Sequence, residues 1–586
     1  MDNQRNLLLA VLLSGLLILG WDAGMSYFYP QASITAQAVD GKNAAPATPV
    51  ASPSGAIESG TKPARPVNLA KALATKARVR IDAQRIEGSI NLVGARIDDI
   101  ELKDYRETIK ADSGPVQLFA PQGTALQYYA QFGWVGEGVR LPDSDTLWQA
   151  DGDALTSEKP VTLTFDNGEG QLFAIRLAID ADYMITATQS VRNSATGPVV
   201  VRPFGLIIRN STNASPSTFN AHSGPMGAFG DTVEYGPDYD DLVETGTHAP
   251  EGGAPDWLGF SDLHWLSALV PQAGAQATPG FRSLGDNLFR TDLIYAPDTV
   301  PAGASLTRET RLFAGAKESA LLDEYQDAGI QNFGKAIDWG WFEWFEKPML
   351  WLLRTLYDFA GNFGLAIIML TVIVRGAMFP IAQRQFASMA AMRAVQPKMK
   401  AIQERYKDDK QKQQQEIMAL YKTEGVNPLA GCLPLFLQIP IFFALYKTLI
   451  LAIEMRHEPF YLWIKDLSAP DPAKILNLFG LLPFDPPGFL GIGVLAVMLG
   501  VTMWLTFRLN PSAMDPMQQQ IFSLMPWILM FVMAPFAAGL LLYWVTSNIL
   551  TLAQQTYLYS RHPQLKAQAD KDKSDRERAT ARGDKG

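Results

Sequence analysis

The chain has almost no cysteine. Cys432 is the only one in 586 residues, so an internal disulfide is impossible and a cysteine-built metal cage is excluded. Histidine is nearly as scarce: His222, His248, His264, His457 and His562 are the full set, with no ligand spacing among them. Positive charge is in deficit, with a formal net charge of -9, which argues against a generic binder of DNA or other nucleic acid. Uniform character is missing too. The 47% of residues that are hydrophobic gather at the extreme N-terminus and after about residue 345, with a long soluble-looking stretch between, so the chain is a hybrid of membrane and soluble parts.

The first apolar run, Leu7 to Trp21, follows Arg5. A cleaved signal peptide would need a nearby cleavage site, but the nearest such triplet, Ala36-Gln37-Ala38, lies well beyond, across Tyr27-Phe28-Tyr29-Pro30. An uncleaved signal anchor with Tyr27 and Tyr29 as interfacial aromatics is the better fit. The segment from Gln31 to about Val67 is rich in Ala, Pro, Thr, Ser and Gly and reads as a flexible tether.

From about Leu69 to Lys317 the pattern changes to short alternating runs, such as Val161-Thr-Leu-Thr-Phe165 and Gly205-Leu-Ile-Ile-Arg209, punctuated by Gly, Asn, Asp and Pro. Repeated period-two runs predict a β-sandwich, each sheet burying one face. No catalytic constellation stands out in it. Gly329-Ile-Gln-Asn-Phe-Gly334-Lys335-Ala336 misses the phosphate-loop pattern, because Ala336 stands where a magnesium-binding hydroxyl is needed. Between Lys335 and Asp358, Trp339, Trp341, Trp344 and Trp351 alternate with charges, as in a helix lying along a membrane interface.

Candidate spans follow at about 361–383, 431–453, 489–508, 521–534 and 536–558. With the first anchor they make six. The run at 521–534 is only about fourteen residues, or roughly 21 Å of helix, short of a roughly 30 Å hydrocarbon core, and a locally thinned bilayer is one answer. Arg384 to Lys422 holds nine Lys or Arg, and the tail from Arg561 holds eight more, whereas Glu454 to Gly488 has only Arg456, Lys465 and Lys474. The basic segments are therefore expected in the cytoplasm, with both termini inside and the sheet domain outside.

The basic segment at 384–427 is patterned as a helical hairpin. Met392, Met399 and Tyr406 recur every seven residues with Val395 and Ile402 between them, giving an a/d-like seam. Two uses stay open: an ordinary internal seam, or a methionine-rich docking face for apolar segments.

Arg375 lies inside an otherwise apolar stretch, Phe363 to Phe379. An arginine near the centre of a spanning helix costs about 2.5 to 3.5 kcal/mol, so it persists by facing a wet cavity, a partner or a substrate, or by snorkelling towards Arg384, about 13 Å away along the helix. Thr371 shares its face, Gln438 interrupts Leu433-Pro-Leu-Phe-Leu-Gln-Ile-Pro440, and the last span carries Thr546, Ser547, Asn548, Thr551, Gln554 and Gln555. Taken singly, such residues are more often glue between helices. Taken with Arg375, the set predicts a polar groove. Lys447, near the far interface, reads as a snorkelling lysine.

Thr371-Val-Ile-Val-Arg-Gly-Ala-Met-Phe-Pro380, Met392-Arg-Ala-Val-Gln-Pro-Lys398, Asn427-Pro-Leu-Ala-Gly-Cys-Leu-Pro434, Trp463-Ile-Lys-Asp-Leu-Ser-Ala469, Asp515-Pro-Met-Gln518 and the opening Met1-Asp-Asn-Gln-Arg-Asn6 resemble the YidC/Oxa/Alb insertase family. The likeness is close over about residues 335 to 560 and architectural over the outer domain. It implies a polytopic α-helical membrane protein of the bacterial inner membrane, with a five-helix core around a hydrophilic groove, a periplasmic β-sandwich and a cytoplasmic helical hairpin. The chain then divides into an anchor (1–30), a linker (31–67), the sandwich (68–332), an interfacial amphipathic helix (333–360), the insertase core (361–560) and a basic tail (561–586).

The implied activity is insertion, folding and assembly of inner-membrane proteins, alone or beside the Sec translocon, with no catalytic residue and no cofactor. The implied groove residues are Arg375, Thr371, Gln438, Trp544 and Asn548; Trp544 stands where the family pattern has tyrosine. The implied partners are nascent inner-membrane proteins, the Sec translocon with its accessory subunits, membrane lipids, and the ribosome or targeting machinery through the hairpin seam (Met392, Met399, Tyr406) and the tail. One departure is Leu478-Phe-Gly-Leu-Leu-Pro-Phe-Asp-Pro-Pro-Gly488, which lengthens the segment before the fourth span. The rival reading is a small-solute transporter or channel with Arg375 as an anion site, for which inverted repeats are expected and none is found. A second rival is a structural assembly factor that docks through the outer domain.

Overall fold

The computed structural model describes residues 66–561 except 75–76, 111, 216–220, 408, 426–432, 480, 483, 485, 487–490 and 510–515. The anchor run, nearly all of the tether, the basic tail beyond Arg561 and the side chain of Met392 lie outside the described residues.

Alternating burial builds the first half of the chain. In Gln171–Ile179 every second residue is buried, and Met184–Asn193 follows the same period. Nine strands form one sheet in the order Thr232–Tyr235, Gly224–Phe229, Pro255–Ser261, Trp265–Pro271, Ser305–Ala316, Met184–Asn193, Gln171–Ile179, Val161–Asp166 and Gln149–Ala150. The second sheet has eleven strands, and its middle runs through Ala277–Gly285, Leu288–Tyr295, Val199–Asn210, Tyr128–Glu137, Arg96–Arg106, Ile86–Asn91 and Arg78–Asp82. Among the described strands pairing is antiparallel except between Arg78–Asp82 and Ala154–Leu155, and Val67 makes an isolated parallel bridge with Thr124.

The two sheets share one core. Trp134 packs edge-on against Phe173 at 5.2 Å, and Tyr128 against Phe260 at 6.5 Å. Gln189 reaches across and donates to the carbonyl of Gly133 at 2.7 Å. Val199–Asn210 departs from alternation because it is buried on both faces: Tyr129, Val135, Phe204, Leu206, Ile208 and Ile294 form a second small cluster on the outer side. Short helices α1 (Leu69–Leu73), α2 (Tyr239–Thr245) and α3 (Ser319–Asp327) decorate the sheets. The stretch that misses the phosphate-loop pattern ends in a buried 3-10 turn, Phe333–Ala336, with no strand leading into it.

The second half is helical: α4 (Glu343–Ala360), α5 (Phe363–Ala377), α6 (Phe379–Arg405), α7 (Lys410–Glu424), α8 (Leu433–Leu451), α9 (Val494–Leu509), α10 (Pro516–Met533) and α11 (Ala538–Arg561). In α4, Glu346, Met349, Leu350, Leu353 and Leu356 face inward at three- and four-residue steps, while Trp344 and Trp351 point outward. Trp339 differs from its expected place at an interface: it is buried beneath the start of this helix. The apolar run past Arg375 breaks at Met378 into two helices, with Pro380 in the first turn of α6, where its missing N–H costs nothing. Among the described residues no helix is long and apolar enough to cross a membrane; α5 has 15 residues and α9 has 16.

Sheets and helices are joined by specific bonds. Arg456, between α8 and α9, donates to the carbonyls of Arg106 at 2.7 Å and Glu107 at 3.2 Å and lies over the Trp265 ring. The ring Nε2 of His264 is 3.0 Å from the carbonyl of Ile450 at the end of α8. Glu454 pairs with Arg354 of α4.

Candidate functional site

Convergence of the polar residues in the helical half starts from α5, which is fixed by a cap and by a close approach. Asn362 caps α5 by accepting from the amide of Leu365 at 3.1 Å, and its amide group also donates to the carbonyl of Pro459. Gly364 admits the ring of Phe460, which any Cβ there would strike at 2.0 Å. With α5 so placed, Phe363, Ala366, Ile367, Leu370 and Thr371 are buried, Val372 and Ile373 face out, and Arg375 sits half-buried towards α11.

The Arg375 guanidinium is held by a hydroxyl: its Nε donates to Ser547 Oγ at 2.9 Å. Gln554 donates to the Arg375 carbonyl at 3.3 Å. One turn before Ser547, the buried Tyr543 accepts from Gln438 Nε2 of α8 at 2.7 Å. Gln438, Tyr543, Ser547, Arg375 and Gln554 thus make a polar line across α8, α11 and α5. Among the described residues no carboxylate forms an ion pair with Arg375, and the described partner of its guanidinium is the neutral Ser547 hydroxyl.

The other expected groove residues are used differently. Thr371 is fully buried and its hydroxyl donates to the carbonyl of Ile367 in its own helix at 2.6 Å. Asn548 points to α9 and donates to Thr502 Oγ1 at 3.1 Å, as glue between helices. Trp544 is half-buried against Phe442, ring centres 4.8 Å apart. Tyr543 was not singled out in the sequence, although its spacing of four from Ser547 places both on one face of α11. It supplies a phenolic hydroxyl next to the position where Trp544 lacks one.

Met399 is buried and its sulfur accepts from the Tyr421 hydroxyl of α7 at 3.2 Å. Tyr406 is half-buried with Lys412 5.5 Å from its ring centre, and Lys398 pairs with Glu424 at 2.6 Å. These contacts turn the described part of the seam towards α7. The methionine that α7 leaves outward is Met418, 63% exposed.

Lys447 corrects the snorkelling expectation. It is 6% exposed, in the joint between α8 and the start of α4, where its Nζ would lie 3.0 Å from a Cβ at Gly340. Glu346 of α4 faces the same joint with no exposure and with both carboxylate oxygens lacking a hydrogen-bond partner. Burial pushes the Glu346 carboxyl up to about 7, against the opposing pull of Lys447.

Two family models cover the chain: "60Kd inner membrane protein" matches residues 355–566, and "YidC periplasmic domain" matches residues 78–352. The chain belongs to the YidC family. A relative from Zymomonas mobilis, named membrane protein insertase YidC, is 45% identical over 95% of this chain and 96% of its own. A second of the same name, from Beijerinckia indica, is 43% identical over 96% of each chain. A crystal structure of an active YidC insertase covers 82% of this chain and 95% of its own, with 19% identity and a TM-score of 0.36. In YidC-family terms, the sheets fall in the stretch matched as the periplasmic domain, and the polar line falls in the stretch matched as 60Kd inner membrane protein.

Proposed function

We propose that this chain is an insertase for inner-membrane proteins, and that the line from Gln438 through Tyr543, Ser547 and Arg375 to Gln554 is where a substrate's polar tail enters the bilayer. Family membership supports the activity. The observation that carries the place is Arg375, a half-buried cation held by Ser547 with no described carboxylate against it. An acidic or polar tail brought beside it exchanges water for fixed dipoles and an opposite charge, which lowers the cost of partial burial. Burial of the substrate's apolar span, at about 25 cal/mol per Å², supplies the drive without a fuel.

In this reading α5, α8, α9, α10 and α11 span the inner membrane with the N-terminal anchor as a sixth span. The helical pair α6 and α7 and the basic tail lie in the cytoplasm, where they meet the ribosome or targeting machinery, and the Sec translocon is a lateral partner. Helices of 15 and 16 residues, α5 and α9, are about 22 to 24 Å long, so the bilayer around them is thinned.

The deciding experiment is insertion of one two-span substrate into vesicles, with acidic and neutralised tails compared. Arg375→Lys keeps activity, Arg375→Ala loses it for acidic tails first by about ten-fold, and Arg375→Glu is worst. Equal wild-type rates for both tails with Arg375→Ala would falsify the groove-charge mechanism. Uptake of a small anion without insertion would replace it by transport.

A further inference from the structure

The segment between α8 and α9 carries a feature that insertion through the polar line does not use. From Ile475 to Phe484 there is no charged residue. Ile475, Leu476, Leu478, Phe479, Leu481 and Leu482 are all exposed, Leu481 by 81%. On a water-facing loop such a run would be costly and prone to self-association.

Five of its amides are satisfied by nearby carbonyls. The amide of Ile475 donates to Ile492 at 3.0 Å, Leu478 to Ile475 at 3.0 Å, Phe479 to Lys474 at 2.9 Å, Leu481 to Leu478 at 3.3 Å and Leu482 to Asn477 at 3.0 Å. The Asn477 side chain also donates to the carbonyl of Phe484. Amides closed in this way lower the cost of bringing irregular backbone to the edge of an apolar phase, where each unsatisfied group is expensive.

Leu478 and Phe479 have φ of 50° and 62°. Such left-handed conformations are costly for large side chains, and a solvated turn would place Gly or Asn there. The turn keeps two large apolar residues instead.

The base of the segment is fixed. The buried Asp471 accepts from Trp463 Nε1 at 3.0 Å, from the amide of Ala473 at 2.9 Å and from the amide of Leu495 in α9 at 2.8 Å. The tip is therefore held at a set height relative to α9. Arg456, in the same inter-helix segment, bonds the sheet domain, which places this segment on the sheet-domain side of the helices.

We propose that Ile475, Leu476, Leu478, Phe479, Leu481 and Leu482 form a lipid-penetrating rim that lies in the headgroup and acyl boundary of the leaflet nearest the sheet domain. The occupant of this face is the bilayer: the rim is tied through Ile475 and Ile492 to the approach to α9, whose Met498, Val501 and Leu505 are themselves exposed and apolar, it presents no charge to a protein partner, and five of its amides are already closed. The proposal rests on the reading that α8 and α9 span the membrane. A rim of this kind sinks by about 5 to 10 Å and anchors the shared end of the two helices against vertical movement.

The test uses the full chain in a Cys432→Ser background, with an NBD fluorophore on one new cysteine: Leu481→Cys in the rim, Val501→Cys on the outward face of α9, or Leu147→Cys on the sheet domain. Each protein is reconstituted in phosphatidylcholine and phosphatidylglycerol vesicles containing lipids with a doxyl quencher near the top or deep in the acyl chain. At Leu481 the shallow quencher should remove about half of the emission and the deep one less, as expected for boundary depth, while Leu147 is unaffected. Quenching at Val501 without quenching at Leu481 overturns the rim and leaves the spans intact. Absence of quenching at both removes the spanning reading and the rim with it. An unquenched Leu481 label whose emission shifts to the blue only when purified Sec translocon is added overturns the lipid assignment in favour of a protein contact.

Discussion

Glu346 has the most unusual surroundings of the buried carboxylates described above, because neither oxygen accepts a hydrogen bond and Lys447 is its nearby counter-charge. Asp338 and Glu343 add negative charge around it. Its carboxyl is pushed up to about 7 from an ordinary value of 4.5, chiefly by burial. The folded state then holds a proton that the unfolded chain has lost between those values. Stability from this group is complete below about pH 4.5 and declines as pH rises through 7, by at most about 3 kcal/mol. Glu346→Gln keeps the shape and cannot titrate, so the thermal midpoint of the wild type in detergent, measured relative to that of Glu346→Gln, should fall between pH 5 and pH 8, the other titrating groups being common to both proteins. Parallel curves for the two proteins would show that the carboxylate is solvated in the native joint.

At the scale of elements, the contact of Met399 with Tyr421 makes α6 and α7 one packed unit. Met399→Lys should bury an unpaired charge between them and raise amide exchange along both helices, by roughly ten-fold or more. Met418→Lys, on the outer surface, should leave exchange unchanged and instead weaken crosslinking to a ribosome carrying an apolar nascent segment. Loss of crosslinking with unchanged exchange for Met399→Lys would place the docking face on the seam after all.

Element by element, legibility followed burial. Val161–Asp166 was readable as Val161-Thr-Leu-Thr-Phe165 because its burial alternates. Val199–Asn210 was readable in part, through Gly205-Leu-Ile-Ile-Arg209, but the sequence did not show that the strand is covered on both faces. The break at Met378 was hidden by hydropathy that continues through Phe379 and Ile381 on either side of Pro380. Arg375 stood out because charge in an apolar run is rare, and Gln438 because a neutral amide there interrupts the run as well. Tyr543 did not, since a tyrosine among leucines reads as an interfacial aromatic until a partner is known. Thr371 and Asn548 were visible as polar, but their choice of partner, Ile367 in the same helix and Thr502 in the next, depends on rotation about the helix axis that composition does not encode. Lys447 was misread because distance along a helix says nothing about which neighbour covers its end.

At the scale of the whole molecule, the distribution of basic residues and the family of the sheet domain point to opposite sides of one membrane. Single cysteines at exposed positions test this in a Cys432→Ser background. Leu147→Cys on the sheet domain should react with an impermeant maleimide in intact spheroplasts, and Gln414→Cys on α7 only after the cells are opened. Reaction of both in intact cells would overturn the topology.

The joint that Arg456 makes with the sheet domain engages the main-chain oxygens of Arg106 and Glu107 rather than their side chains. Every amino acid offers that oxygen. Substitution at 106 or 107 therefore leaves these two bonds in place, and of the two side chains only Glu107, whose charge favours the Arg456 cation, has a stake in the joint. A search for paired substitutions across this boundary would find at most a trace of charge at position 107, and none of the bonds that do the joining.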